Sequence, residues 1–91
     1  MVYTLIYTHS YIKRAKKFLR KHPEIQKQYQ KTLELLELDP HHPSIRFHNL
    51  SGRLKDLLSV SINMSYRITL ELEIRDKEII LINVAGHALV Y

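Results

Sequence analysis

The sequence contains no cysteine and only two glycines. Without cysteine the chain cannot form a disulfide, a thiolate nucleophile or a cysteine-based zinc site, and an intracellular location is weakly favoured. The sequence also lacks a glycine-rich phosphate loop, a catalytic serine motif and a carboxylate cluster for magnesium. No segment approaches the roughly 20 apolar residues needed to cross a bilayer, so we expect a cytoplasmic protein with no membrane partner.

The length of 91 residues allows one small domain, residues 1–91, with a single core and no separate cofactor domain. We therefore expect a surface site and no cofactor. Residues 1–55 contain eleven Lys or Arg and four Asp or Glu, whereas residues 56–91 contain three and five. Such a basic first half suits a polyanion, such as nucleic acid, or an acidic protein segment. The alternative is a solubilising surface that has no partner.

The first forty residues predict a strand followed by two helices. Residues 2–7 form an apolar, β-branched and aromatic run that is typical of a strand. Ser10 can cap the first helix, and Pro23 separates it from the second, which Asp39-Pro40 ends. The apolar positions of the first helix recur at helical spacing and are Tyr11, Ile12, Ala15, Phe18 and Leu19. Lys and Arg surround this stripe, so the exposed side is strongly basic.

Three alternating segments in the second half predict strands, because apolar residues recur there at every second position. The segments are 58–63, 66–74 and 78–87. In the third segment, the alternation places Ile80, Ile82 and Val84 on the same phase, which we expect to face the core. Residues 45–47 are predicted as a further short strand. The two helices should cover one face of the sheet and leave the polar face open.

The predicted fold is an α+β domain with the order β-α-α-β-β-β and an optional further strand. Its small, mostly antiparallel sheet carries the two N-terminal helices on one face. The predicted turns place Ser61 opposite Arg67 and Arg67 opposite Ala85. His87 is then a diagonal neighbour of Arg67, roughly 7–8 Å away at the backbone. A permanent cation and a titratable imidazole would thus share the open face.

Cutting RNA without a metal requires a base, a cation that binds the phosphate, and an acid for the leaving 5′-oxygen. Arg67 is the candidate cation, because a planar guanidinium binds phosphate oxygens bidentately and stays charged. The alternative for Arg67 is a cross-strand salt bridge, for example with Glu71. His87 is the candidate acid, since imidazole titrates near neutrality; the alternative is an ordinary surface histidine.

Other residues of the second half could support the same chemistry. Arg53 and Lys55 flank a predicted turn and could bind phosphates on either side of the scissile bond, although they could equally be a simple charge run. Tyr91 could stack on a base or remain a plain hydrophobic terminus. His48 is a second possible base or acid, with a solvated or capping histidine as the alternative. His41-His42 is interpreted as loop, because no ligand partner lies at a suitable spacing for a metal.

Three short motifs, taken in order, resemble the RelE/ParE superfamily of bacterial and archaeal toxins. They are His48-Asn49-Leu50-Ser51-Gly52-Arg53-Leu54-Lys55, then Ile62-Asn63 before Tyr66-Arg67-Ile68, then Gly86-His87 with a terminal aromatic. The ending is most similar to the RelE, YoeB and YafQ branch, whose members are ribosome-dependent endoribonucleases that cut mRNA in the A site. The resemblance therefore implies a RelE-like fold and the toxin of a type II toxin-antitoxin system, which an antitoxin holds inactive.

The resemblance also implies roles for individual residues. Arg67 matches the arginine that stabilises the phosphate, His87 the acid or base histidine, and Tyr91 the C-terminal aromatic. His48 falls where YafQ-type toxins have a functional histidine, and Lys55 where RelE-type toxins have a basic residue.

Three positions depart from the pattern of the family. Ser44 stands where YoeB-type toxins have their glutamate base, and Ser61 and Ser65 stand where YafQ-type toxins have a histidine and an aspartate. Because a serine hydroxyl cannot do the work of that glutamate, the base is unassigned, and His48 is our first candidate.

The resulting hypothesis is an mRNA interferase that arrests growth by inhibiting translation. The expected partners are a cognate antitoxin, mRNA and the 70S ribosome, with DNA contacted only through the antitoxin complex. The residues expected to dock on 16S rRNA are Lys13, Lys16, Lys17 and Arg20. Two alternatives stay open: a ParE-like poison of DNA gyrase, and a non-enzymatic RNA-binding module that uses the same open face.

Overall fold

Five strands and two α-helices make up the described part of the chain, which comprises residues 2–49, 57–73 and 77–86 of a computed structural model. The strands are β1 (Thr4–Tyr7), β2 (His48–Asn49), β3 (Leu57–Ser61), β4 (Tyr66–Glu73) and β5 (Glu78–Gly86). The helices are α1 (His9–Lys21) and α2 (Gln26–Leu38), and short 3₁₀ turns occupy Pro23–Ile25 and Pro43–Ile45. None of the helices described has both the length and the apolar character that a membrane span requires.

The strands form one mixed sheet in the order β1-β5-β4-β3-β2. β1 runs parallel to β5, and the other neighbouring strands are antiparallel. The helices belong to the long connection between β1, at one edge, and β2, at the other. The predicted α+β fold, with a mostly antiparallel sheet and two N-terminal helices, is confirmed. The predicted register is confirmed as well, since Arg67 lies opposite both Ser61 and Ala85.

Helix α1 is capped by Thr8 and not by Ser10. The Thr8 hydroxyl accepts a hydrogen bond from the backbone N–H of Tyr11 at 3.2 Å and donates to the carbonyl oxygen of Leu81 at 3.2 Å. Thr8 has the extended backbone of a capping residue, whereas Ser10 already lies inside the helix. The predicted cap at Ser10 is therefore wrong. Thr8 takes that role because one hydroxyl satisfies the helix terminus and links it to β5.

The core lies between the helices and the apolar side of the central strands. Its largest fully buried side chains are Tyr11, Leu36, Ile45, Ile68, Leu70, Ile79 and Leu81. The Tyr11 hydroxyl lies 2.8 Å from the Tyr29 hydroxyl. This polar atom, which Tyr11 of α1 places in the core, therefore has a hydrogen-bond partner on α2. Burial raises the pKa of both phenols above the ordinary value, because the charged form would lose its hydration.

A β-bulge in β5 changes which of its residues face the core. Thr69 pairs with Asn83, but the next residue, Leu70, pairs with Leu81, so Ile82 is left over. The extra residue reverses the alternation. The buried positions are consequently Ile79, Leu81 and Val84, and the predicted core phase of Ile80 and Ile82 is wrong. Beyond the bulge the predicted phase holds, which is why Ala85 still lies opposite Arg67.

The polar face of the sheet is less open than the alternation predicts. Ser59, Ser61 and Thr69 are only 0%, 7% and 5% exposed, although they lie on the face that carries Arg67. Ser59 contacts a longer side chain of this face, since Arg67 Nη1 donates to Ser59 Oγ at 3.5 Å. The prediction of a fully open face is thus wrong at these three positions.

The segment before β2 is a turn and not the strand predicted for residues 45–47. Pro43 begins a 3₁₀ turn, which suits its fixed backbone angle. His42 caps this turn, because its Nδ1 accepts a hydrogen bond from the backbone N–H of Ser44 at 3.2 Å. Arg46 ends the turn in the left-handed region, with φ of 49°. The short strand begins only at His48.

Candidate active site

Arg67 is fixed near the start of β4, on the polar face of the sheet. It is a half-buried residue with a strand paired on each side, Ser61 of β3 on one and Ala85 of β5 on the other. The contact between Nη1 and Ser59 Oγ directs the side chain across β3. A guanidinium held in this way is preorganised for a phosphate, because little reorientation is needed when the anion arrives.

A cleft of about 400 Å³ lies beside Arg67. Its described lining consists of Gln28, Ser44, Arg46, Ser61, Ile62, Asn63, Met64 and Arg67. The lining comes from four places in the chain: α2, the turn before β2, the end of β3 with the following bend, and the start of β4. Two serines, an asparagine and a glutamine line the cleft together with the two arginines, so it is polar as well as cationic.

Arg46 is the residue of this cleft that sequence reasoning missed. Its side chain is exposed, and it brings a second guanidinium to the space that Arg67 lines. Two arginines at one cleft can bind the oxygens of one phosphate or of two successive phosphates. The signal that could have found Arg46 is the Pro43 that precedes it, since a proline in a loop favours a turn and not the strand that was predicted.

Asn63 organises the bend that leads into β4. Its Oδ1 accepts hydrogen bonds from the backbone N–H groups of Ser65, at 2.8 Å, and Tyr66, at 3.1 Å. Its Nδ2 donates to Gln28 Oε1 of α2 at 3.0 Å. One side chain therefore shapes the bend, ties it to the helix layer and sets where β4 begins, only one residue before Arg67.

Ser44 occupies the wall of the cleft at the position where the family resemblance implies a glutamate base. Its Oγ lies 2.8 Å from His42 Nδ1, the same nitrogen that caps the 3₁₀ turn. Because that nitrogen is engaged by the turn, the local role of His42 is to hold the turn that presents Ser44 and Arg46. The loop predicted at His41-His42 is confirmed, but its capping contact was not foreseen.

The other predicted site residues are distributed unevenly over the described chain. His48 is the first residue of β2 and lies opposite Ser59 in the register, and Ser59 is the serine that Arg67 contacts. His87, Arg53, Lys55 and Tyr91 lie outside the described residues. Of the predicted RNA-docking residues, Lys13, Lys16, Lys17 and Arg20 are all exposed on α1. Residues 2–49, 57–73 and 77–86 contain no group of three or more His, Asp or Glu placed to hold a metal ion.

The fold matches solved structures of bacterial toxins over nearly the full chain. No family model matches the sequence, and no curated protein matches it. The Escherichia coli DinJ-YafQ toxin-antitoxin complex contains a chain with a TM-score of 0.78 at 18% identity, covering 100% of this chain and 99% of that one. A metal-bound toxin from Helicobacter pylori gives 0.73 at 18% identity, with 100% of each chain covered. The YoeB/ParE toxin from Agrobacterium tumefaciens gives 0.73 at 14% identity, covering 92% of this chain and 98% of that one.

The chain has the fold of these toxins. The RelE/ParE-like architecture inferred from the motifs is thereby confirmed at the level of the fold. The likeness extends over both helices and the sheet, since the matches span nearly all of each chain.

Proposed function

We propose that the chain is the toxin of a type II toxin-antitoxin system and cleaves mRNA on the ribosome without a metal cofactor. The observation that carries the proposal is the polar cleft of about 400 Å³ lined by both Arg67 and Arg46. The fold supports a toxin role, because the structures that match it are of bacterial toxins and one is a toxin-antitoxin complex. A cognate antitoxin is the partner that this role requires.

In the proposed reaction, the ribose 2′-oxygen attacks the neighbouring phosphorus, and the bond to the 5′-oxygen breaks. Arg67 and Arg46 stabilise the charge that develops on the phosphate oxygens. His48 takes the proton of the 2′-hydroxyl, and His87 gives a proton to the leaving oxygen. Neither proton transfer requires a metal ion, since imidazole titrates close to neutral pH.

Three further residues are proposed to position the message. Arg53 and Lys55 bind phosphates on either side of the scissile bond, and Tyr91 stacks on a base. Holding the RNA strand in the geometry of attack is a large part of what an enzyme contributes, because an oriented reaction avoids most of the entropic cost of bringing the groups together.

Induced expression in a bacterial host tests the proposal. We expect growth arrest, a fall in translation, and mRNA cuts at codon boundaries that primer extension detects. Arg67→Ala should abolish all three, and Lys27→Ala, which removes an exposed cation of α2 outside the cleft, should leave them unchanged. Intact message with a DNA damage response would instead identify a ParE-like gyrase poison. Full toxicity of a folded Arg67→Ala protein would contradict the proposed chemistry.

A further inference from the structure

A second groove, of about 610 Å³, lies between α1 and the last residues of β5. It is distinct from the Arg67 cleft, and the two share no described lining residue. Tyr66 lines this groove and Arg67 lines the cleft. Neighbouring residues of β4 thus belong to two separate sites.

Three rings form an aromatic cluster in the groove. The ring centroids of Phe18 and His22 are 4.8 Å apart, those of His22 and Tyr66 are 4.8 Å apart, and those of Phe18 and Tyr66 are 5.1 Å apart. The Tyr66 hydroxyl and His22 Nδ1 are 3.2 Å apart, which fixes the two rings relative to each other. The side chain of His22 is still 31% exposed, so the cluster offers an aromatic surface to a ligand.

One flank of α1 supplies the charge of the groove. Arg14, Lys17 and Lys21 line it, and their spacing of three and four residues places them on the same side of the helix. All permanent charges among the described lining residues are positive. Glu24 approaches His22 Nδ1 at 3.8 Å but does not line the groove. The groove therefore attracts anions along its helical wall.

The opposite wall is the end of β5, beyond the reach of β1. The pairing of the two strands stops at Tyr7 and Leu81. Arg14 covers the start of the remaining edge, where its Nη1 donates to the carbonyl oxygen of Ile82 at 3.4 Å. Asn83 lines the groove next to it, and an asparagine can both donate to and accept from the edge of a nucleobase.

We infer that this groove binds an unpaired nucleotide of structured RNA. The base packs against the exposed surface of His22 and Tyr66, and the flanking phosphates are bound by Lys17 and Lys21. Aromatic surface combined with a row of cations is the composition of sites for single-stranded nucleic acid. An acidic peptide would use the cations but would leave the aromatic cluster without a specific role.

The inference rests on the proposed function for the identity of the RNA, which is then ribosomal RNA. A nuclease that works on the ribosome must hold the ribosome and the message at the same time, and two sites with no described lining residue in common allow this. Only Lys17 of the predicted RNA-docking residues lines the groove. The structure adds Arg14 and Lys21 to it and places Lys13, Lys16 and Arg20 elsewhere on the exposed surface of α1.

Fluorescence anisotropy with a labelled 2′-O-methyl adenylate octamer tests the groove. This probe has no free 2′-hydroxyl, so it can be bound but not cleaved. The double variant Lys17→Ala/Lys21→Ala should bind about tenfold more weakly, and the slope of log affinity against log salt should fall by about 1.4, or about 0.7 for each lost phosphate contact. The matched control Lys27→Ala/Lys31→Ala makes the same charge change on the exposed surface of α2, outside the groove, and its affinity should change less than about threefold.

His22→Ala probes the aromatic cluster. It should weaken binding of the octamer about tenfold, because a base loses its stacking partner, and should leave the salt slope unchanged. If this variant does not fold, the comparison of the two lysine double variants tests the inference without it. Equal losses in the two lysine double variants would overturn the inference in favour of a non-specific basic surface. Binding of a poly-glutamate peptide, but not of the octamer, would overturn it in favour of a protein partner.

The outcomes separate this inference from the proposed function. In an Arg67→Ala background, loss of Lys17 and Lys21 should weaken octamer binding by the same factor as in the wild type, because the groove and the cleft share no described lining residue. A wild-type protein that binds the octamer through the groove but never cuts mRNA on ribosomes would refute the nuclease and retain the RNA site. Cleavage on ribosomes with no groove-dependent binding would refute the RNA site and retain the nuclease.

Discussion

Arg67 and Arg46 reach the same cleft by different local means. Arg67 is held by strands on both sides, so its position follows from the register of the sheet. Arg46 follows a 3₁₀ turn and has φ of 49°, a conformation that costs a residue with a β-carbon about 1–2 kcal/mol. The turn must supply that free energy, so the position of Arg46 depends on the contacts of a few neighbouring residues.

Replacing Arg46 by glycine should separate stability from activity. Glycine adopts positive φ without strain, so the free energy of unfolding should stay equal or rise by up to about 1 kcal/mol in urea denaturation. Cleavage of mRNA should fall about 10- to 100-fold, because one phosphate-binding guanidinium is lost. Lys77→Gly is the matched control, since Lys77 also has positive φ, of 52°, and does not line the cleft. Unchanged cleavage by Arg46→Gly would exclude this arginine from phosphate binding.

His42 is expected to act as a positioning residue for the cleft. His42→Ala removes the cap of the 3₁₀ turn, so kcat on ribosomes should fall about tenfold while the pH profile keeps its shape, because no titrating group of the reaction is lost. Asparagine also caps helical turns, and His42→Asn should restore most of the rate. An altered pH profile in His42→Ala would instead give this histidine a direct part in proton transfer. His48→Ala is the variant in which we expect such a change.

At the scale of the element, the bulge in β5 decides which isoleucine supports the core. Ile79 is fully buried and Ile80 is half-buried, although the plain alternation of the sequence predicts the reverse. Ile79→Ala should lower the free energy of unfolding by about 2–5 kcal/mol, the cost of a cavity in a packed core. Ile80→Ala removes the same atoms from the neighbouring position and should cost less than half as much. Equal losses in urea denaturation would show that β5 has no bulge at Ile82.

The contact between α1 and α2 should make stability depend on pH at the alkaline end. Burial raises the pKa of Tyr11 and Tyr29 in the folded chain, whereas an unfolded tyrosine ionises near pH 10. The folded state therefore keeps protons that the unfolded state loses. This stabilisation is complete below about pH 10 and is lost as the pH rises further. Tyr11→Phe should show a shallower fall in unfolding free energy between about pH 9 and 11, measured by urea denaturation. A fall as steep as that of the wild type would contradict this account.

The elements were predictable where a single periodicity governs them, and the departures have local causes. The pairing of Ser61 with Arg67 follows from turn length and alternation. Arg67 lies opposite Ala85 because the bulge offsets a difference of one residue near the turn, where Glu73 pairs with Glu78. A bulge inserts one residue into a strand without changing the apolar pattern of the sequence, so the alternation predicts the wrong face of the sheet for Ile80. The burial of Ser59 was missed for a different reason, because alternation predicts the face on which a residue lies and not which longer side chains, such as that of Arg67, contact it there.

At the scale of the whole molecule, the candidate site combines residues that the sequence keeps far apart. Gln28 of α2, Arg46 of the turn and Arg67 of β4 meet at one cleft because the chain crosses from one edge of the sheet to the other and returns strand by strand. No local sequence pattern predicts that these three residues lie at the same cleft. The basic first half was visible as a composition, but only the fold places some of its cations at the groove wall, Arg46 at the cleft and others on the exposed surfaces of α1 and α2.

The groove and the cleft, which share no described lining residue, predict two different kinetic defects on ribosomes. Lys17→Ala/Lys21→Ala should raise the ribosome concentration at half-maximal cleavage about tenfold with kcat nearly unchanged, because uniform binding is lost. Arg67→Ala should lower kcat about 10³-fold with little change in that concentration, because its contact strengthens only as charge develops on the phosphate. Single-turnover cleavage over a range of ribosome concentrations measures both quantities. A lysine double variant that lowers kcat alone would place the groove in the chemical step and remove the division between holding the ribosome and cutting the message.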